Sequence, residues 1–245
     1  SHCVLISLLF LILCAVPAHA WEMEAGTIDL PETSTGAGPF TVSLKQQYDT
    51  PPVIVALPTD SGANSAALRI DQVSTTDFRI SQWEPKSEDG GHFAMTVRYV
   101  AVEPGVHTLP DGTQIEADTV STRPNNKSFV QFNGEPSSPS DGARWGSKSF
   151  NGSFSSAPAL VAAIQSANNE SAINSDQPSD PWLTTAISSL SSNRFEFALE
   201  RSEVYDRSIG FFFPTYEFDP IPNAEQIGYI ASDVTTDTQF TADDG

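Results

Sequence analysis

The chain has 245 residues and carries 31 acidic against 12 basic side chains, a formal charge of −19 at pH 7. Such an excess repels phosphate backbones and excludes a nucleic-acid partner; it suits a soluble secreted or surface protein. No D-x-D-x-D-G loop assigns the acidity to calcium, so a solvated surface is its expected role.

Residues 4–16 form an almost unbroken apolar run, followed by Pro17-Ala18-His19-Ala20, which fits an A-x-A cleavage site before Trp21. The run is shorter than the roughly 20 apolar residues that a membrane-spanning helix needs. Residues 1–20 are therefore expected to be a signal peptide. Cys14 offers a lipoprotein reading, but Leu13 before it is bulky for a lipobox, and cleavage after Ala20 is preferred. Cleavage removes both cysteines, Cys3 and Cys14, which leaves no disulfide and no cysteine–metal site. The lack of an initiating methionine and of a basic leading region predicts that the reading frame begins upstream.

After the leader, Gly26-Thr27-Ile28-Asp29-Leu30 reads as a short strand and residues 32–39 as a Gly/Thr/Ser loop. Phe40-Thr41-Val42-Ser43-Leu44 alternates apolar and polar with the period of two of a half-buried strand. Residues 52–57 are a β-branched run expected to be covered on both faces, starting after prolines that cannot donate to a ladder. Strands follow at residues 67–70 and 78–83. Residues 95–101 form the longest strand, with Met95, Val97, Tyr99 and Ala101 on one face. A hairpin turning at Leu109-Pro110-Asp111-Gly112 closes the unit near Thr122, and residues 133–148, rich in Ser, Pro and Gly, read as a loop.

A second set of elements is expected at residues 149–154, 158–165, 182–190, 195–201 and 226–231. It repeats the first. Tyr48-Asp49-Thr50-Pro51-Pro52-Val53-Ile54-Val55-Ala56 stands against Phe154-Ser155-Ser156-Ala157-Pro158-Ala159-Leu160-Val161-Ala162, and Val73-Ser74-Thr75-Thr76-Asp77-Phe78 against Leu190-Ser191-Ser192-Asn193-Arg194-Phe195. Both copies close on a tyrosine between apolar residues, Tyr99-Val100-Ala101 and Tyr229-Ile230-Ala231. A repeat this long is a domain, so the chain reads as two modules in tandem. No window shows a sustained helical period. The expected fold is all-β: two antiparallel β-sandwich modules over residues 21–122 and 123–235, with residues 236–245 opening a further segment.

Two excursions set the second module apart, a polar loop at residues 168–181 and an insertion at 202–225 carrying Phe211, Phe212, Phe213, Tyr216 and Phe218. Rings so clustered are costly to solvate. They are expected to fold back as an inter-module clamp, with an exposed contact patch as the alternative.

The first module resembles the H-type lectin domain through Gly26-Thr27-Ile28-Asp29, Pro51-Pro52-Val53-Ile54, Leu68-Arg69-Ile70, Val73-Ser74-Thr75-Thr76-Asp77-Phe78 and Met95-Thr96-Val97-Arg98-Tyr99-Val100. That resemblance implies a six-stranded antiparallel sandwich, oligomerisation and binding of galactose-type sugars. The tandem pair is similar to MSHA-type pilus (agglutinin) biogenesis proteins of the MshQ kind, through Met95-Thr96-Val97, the phrase from Val102-Glu103-Pro104-Gly105 to Asp111-Gly112-Thr113, and Ala198-Leu199-Glu200-Arg201-Ser202-Glu203-Val204. This implies a secreted, periplasmic or bacterial cell-surface setting.

The family's sugar-binding arginine falls on Arg69, whose guanidinium could donate paired hydrogen bonds to neighbouring sugar hydroxyls; the plainer reading lays it over the sheet or pairs it with Asp71 or Glu103. The family's tyrosine aligns with Phe93, which keeps a ring, and its Trp-His pair falls on Pro85-Lys86, with Trp83 two positions away as a stacking face. Arg69, Trp83 and Phe93 are thus the expected ligand-binding residues. In the second module Ala186 stands where Arg69 does, while Glu200, Arg201 and Glu203 beside Trp182 form a charged cluster that could bind a polar ligand or simply be solvated. Once the leader is removed only His92 and His107 remain, without G-x-S-x-G or H-E-x-x-H, and Glu200 with Glu203 on one strand makes a poor glycosidase pair. A non-catalytic binding protein with no cofactor and no metal is expected. Its partner would be an extracellular glycan or a surface protein, with a homo-oligomer as a further expectation. The alternative is an assembly module of a pilus or adhesin system that works by protein contact.

Overall fold

In the computed structural model, residues 21–32, 38–58, 66–84, 92–122, 145–169, 182–201 and 223–233 are described. The leader and the aromatic insertion expected at 202–225, up to Pro222, lie outside the described residues. Thirteen β-strands and no helix occur among those described. They are β1 (Met23–Leu30), β2 (Phe40–Ser43), β3 (Val53–Leu57), β4 (Ala67–Asp71), β5 (Asp77–Trp83), β6 (Met95–Val102), β7 (Gly105–Thr108), β8 (Gln114–Thr122), β9 (Gly146–Ser149), β10 (Ala159–Ile164), β11 (Leu183–Ser188), β12 (Arg194–Arg201) and β13 (Glu225–Ser232). Every ladder is antiparallel.

The strands make four sheets, ordered β1-β6-β3, β2-β5-β4, β10-β13-β8-β7 and β11-β12-β9. The first two face each other across one core. Period-two alternation sends Ile54 and Ala56 of β3, Ile70 of β4, Phe78 and Ile80 of β5, and Met95, Val97, Tyr99 and Ala101 of β6 inward. The other two sheets enclose Ile164, Leu183, Phe195, Phe197, Leu199, Ile227, Tyr229 and Ala231. In β3 the outward Val53 and Val55 are buried as well as the inward Ile54, as its β-branched run predicts.

The hairpin closed by the turn at residues 109–113 forms as expected. Its second strand, however, joins the second module. β8 pairs with β13 over its whole length, from Glu225 facing Thr122 to Ser232 facing Ile115. The strand expected to close the first module near Thr122 therefore pairs in the sheet of β13, and β7 is added to that sheet as a fourth strand. The element expected at 149–154 is also displaced: β9 occupies Gly146–Ser149, its first three residues within the stretch read as loop, and a turn follows it.

With β8 reassigned, both modules follow one plan. β1-β6-β3 matches β8-β13-β10 and β2-β5-β4 matches β9-β12-β11. Small details recur with it. A left-handed residue directly follows β4 and β11, Gln72 and Ser189, each at φ 49°. The turn after it is closed in both copies by a serine that bonds three residues ahead, Ser74 to the Asp77 carbonyl and Ser191 to the Arg194 carbonyl.

The most consequential shared detail is a buried carboxylate. Glu24 faces Ala101 across the β1–β6 ladder, and Glu116 faces Ala231 across β8–β13. Tyr99 donates to Glu24 Oε1 at 2.7 Å, and Tyr229 to Glu116 Oε1 at 2.6 Å. The second oxygen of Glu24 accepts the backbone N–H groups of Lys45 and Gln46 at 2.7 Å each. That of Glu116 accepts Gly152 N at 2.7 Å. Each carboxylate so ties the central strand of one sheet to the loop leaving the facing sheet. Hydrogen bonds to a charged group contribute about 1.5–3 kcal/mol each, and an orphaned buried partner adds its desolvation cost. Glu116→Ala, at a fully buried position, should therefore cost about 3 kcal/mol or more and lower the melting temperature by about 6–12 °C, read by calorimetry. A change under 1 °C would show that the clamp is dispensable.

Burial, reinforced by these carboxylates, raises the phenol pKa of Tyr48, Tyr99 and Tyr229 well above the ordinary value near 10. The folded chain keeps protons that the unfolded chain releases above about pH 10. The stabilisation is complete below that pH and is lost as pH rises beyond it. Urea melts at pH 8 to 12 should show stability falling from about pH 10, with a shallower fall in Tyr229→Phe.

Candidate functional site

Arg69 and Ser81 face one another across the β4–β5 ladder, and Trp83 faces Ala67 one pleat further along. Their neighbours Ile70, Phe78 and Ile80 point into the core, so alternation directs Arg69, Ser81 and Trp83 to the outer face of that sheet. In an isolated sandwich that face would be open to a ligand. Here Arg69 is only 2% exposed and Trp83 5%.

The second module covers them. Arg69 Nη2 donates to the Leu183 carbonyl at 2.8 Å, and Trp182 Nε1 donates to the Trp83 carbonyl at 2.8 Å. The Arg69 guanidinium also lies 5.6 Å from the Trp83 ring centre, within cation–π range. Asp71, weighed above as a partner for Arg69, is engaged instead by Arg79 in a bidentate pair. Arg79 is two residues from Ser81 and shares its outward face.

Arg69 and Trp83 are thus brought together, but inside the joint between the modules. Phe93 is not with them. Its backbone carbonyl, with those of Pro31 and His92, is within reach of the Gln82 side-chain amide, while its ring is 59% exposed. The three residues do not line one accessible pocket. Of the charged cluster expected in the second module, Glu200 is exposed, Glu203 lies outside the described residues, and the Trp182 indole is committed to the joint.

The joint has a second, apolar part. Val53 and Val102, on the outer face of β1-β6-β3, pack on Ile115 and Ala117 of β8, with Trp21, Leu109 and Ile230 at the margin. Trp21 stacks on His107 at 4.3 Å between ring centres. Gly228 of β13 makes the approach possible, since a Cβ there would lie 1.6 Å from the Gln165 side-chain oxygen and 3.0 Å from Val53. Sequence reasoning passed over Glu24, Glu116 and Gly228. The first two had a signal: Glu24-Ala25-Gly26-Thr27-Ile28 and Glu116-Ala117-Asp118-Thr119-Val120 are copies of one phrase.

No group of three or more His, Cys, Asp or Glu that could hold a metal ion occurs among the described residues. No described helix is long and apolar enough to cross a membrane.

No protein-family model matches the chain, and no solved structure matches it. A 95-residue stretch is 30% identical to halomucin of Haloquadratum walsbyi, covering 35% of this chain and 1% of that protein. The chain therefore spans only a small part of that relative's length.

Losing the Arg69 side chain removes a buried charged hydrogen bond to the Leu183 carbonyl and leaves a gap in the joint. Arg69→Ala should cost about 2–4 kcal/mol, lowering the melting temperature by roughly 5–10 °C, and Trp182→Phe should cost less, about 1 kcal/mol. Calorimetry on both variants checks this. A fully stable Arg69→Ala would mean that the joint does not depend on the guanidinium.

Proposed function

We propose that the chain is a non-catalytic binding module of a secreted or cell-surface protein, and that it works by contact with another protein rather than through a sugar held at Arg69. The observation carrying this reading is the burial of Arg69 and Trp83 in the inter-module joint. A glycan needs accessible donors and an open aromatic face, and these two residues supply neither. Extended apolar side chains remain in solvent elsewhere, among them Leu57, Val161 and Val100, which suits a contact surface. An extracellular setting is supported by the apolar leader ending at Ala20 and by the local likeness to halomucin. The tandem arrangement fits the assembly-module alternative raised by the similarity to pilus biogenesis proteins. The exposed Phe93 ring favours the second reading, a glycan stacked on that aromatic face.

The two readings separate on a glycan array and on an envelope-capture assay. The full chain should retain no glycan above background. Its capture on a cell-envelope fraction should be lost after proteinase treatment of the envelope and survive periodate oxidation of envelope glycans. Array binding that Phe93→Ala abolishes, at an exposed position where folding is unaffected, would overturn the protein-contact reading.

A further inference from the structure

The second module covers only part of the outer face of β1-β6-β3. Val53 and Val102 pass beneath it, but further along the same strands a groove of about 820 Å³ stays open. Its exposed apolar surface comes from Leu57 and Val100 over a buried Val55, with Val161 of β10 facing them from the other module. Leu57 is 62% exposed and Val161 45%. Lys45 and Arg98 add two cations, and neither meets a carboxylate among the described residues. No Asp or Glu lines the groove among the described residues, in a chain with 31 acidic residues.

The second module shows what closure of this edge looks like. Gly26 faces Tyr99 in β6, and in the repeat Asp118 faces Tyr229. Val42 faces Phe78, and in the repeat Lys148 faces Phe195. Asp118 and Lys148 join in a 2.7 Å ion pair, with the ammonium 5.8 Å from the Tyr229 ring centre. The first module has glycine and valine at those places, so no ion pair spans its edge. Both Gly26 and Val42 line the groove instead.

We infer that this groove is the docking site for an extended, acidic segment of a partner protein that carries apolar side chains between its carboxylates. Apolar side chains on one side of such a segment bury against Val55, Leu57, Val100 and Val161, and its carboxylates meet Lys45 and Arg98. A glycan fits less well, because among the described residues the groove offers no open aromatic face: Tyr99, the one aromatic residue among its described lining, is 4% exposed. Because both cations are exposed, the attraction is screened, and binding weakens with salt. The inference rests on the protein-contact reading above and names its surface.

The test uses the full chain and a fluorescein-labelled ten-residue peptide alternating Asp or Glu with Leu or Val, followed by anisotropy. Saturable binding is expected, weaker at 0.5 M salt and reduced about tenfold in Lys45→Glu/Arg98→Glu, whose melting temperature should match the parent. Leu57→Asp, at an exposed position, should also weaken it. Four results overturn the inference: no saturation; equal binding of the peptide with Lys in place of its acids; an unaffected double variant; or equal, groove-dependent binding of polygalacturonate, which would make the ligand an acidic glycan. A concentration-dependent dimer that the double variant dissolves would make the occupant a second copy and overturn it too. If the double variant still shows proteinase-sensitive envelope capture, the groove is wrong while the protein-contact reading stands. Failure of the parent chain to be captured by any protein surface is failure of that reading itself.

Discussion

Each module depends on a carboxylate buried at the end of its core. Taking an ionised group out of water is expensive unless its lone pairs are satisfied. Glu24 and Glu116 meet that condition with a tyrosine hydroxyl from the middle strand and a backbone N–H from the loop that leaves the opposite sheet. The geometry does more than offset desolvation. Sliding β1 against β6 by one residue would send Glu24 to the outer face and bring an outward residue inside, leaving Tyr99 without its acceptor. The clamp therefore fixes register and sheet spacing together. The close approach of Tyr99 to β1 depends on Gly26, where a Cβ would lie 2.2 Å from the ring.

Inward positions of the two modules are alike because the clamp and the core leave them little freedom. Phe78 and Phe195, Tyr99 and Tyr229, and Ala101 and Ala231 occupy matching places. Outward positions differ. Arg69 on β4 is matched by Ala186 on β11, and Val100 by Ile230. Nothing in the sandwich core constrains those side chains, so what they touch is decided by the neighbouring module or by a partner. That is why the arginine placed by family resemblance can be structurally sound and still not face a ligand.

The strands were legible because their alternation is local. β3, β5, β6 and β10 appear where the sequence pattern places them, and so does the hairpin turn at residues 109–113. The sheet that β8 joins was not legible, because its partner β13 lies more than a hundred residues away and a strand's own alternation does not name its neighbour. The burial of Arg69 was hidden for the same reason: the residues that cover it, Trp182 and Leu183, are contributed by the other module. The one overlooked local signal was the shared phrase beginning at Glu24 and Glu116. Aligning the repeat from that phrase, rather than from Tyr48 and Phe154, would have placed β8 at the head of the second module.

One position in the repeated plan distinguishes the outer faces of the two middle strands. Gly228 precedes Tyr229 by one residue, as Arg98 precedes Tyr99, and both point outward from the middle strand. At 228 the missing side chain leaves room for Gln165, which reaches toward the Pro52 carbonyl, and for Val53. The two modules can close there. At 98 an exposed arginine stands on the corresponding face of the first module, and its charge makes close packing of an apolar sheet unfavourable. The glycine admits β3 of the first module, while the arginine keeps its own end of β1-β6-β3 in water and holds a charge in place there. The same fold, built twice, can therefore close its two copies over the Val53 and Val102 end of the first copy's outer face and leave the end at Arg98 open.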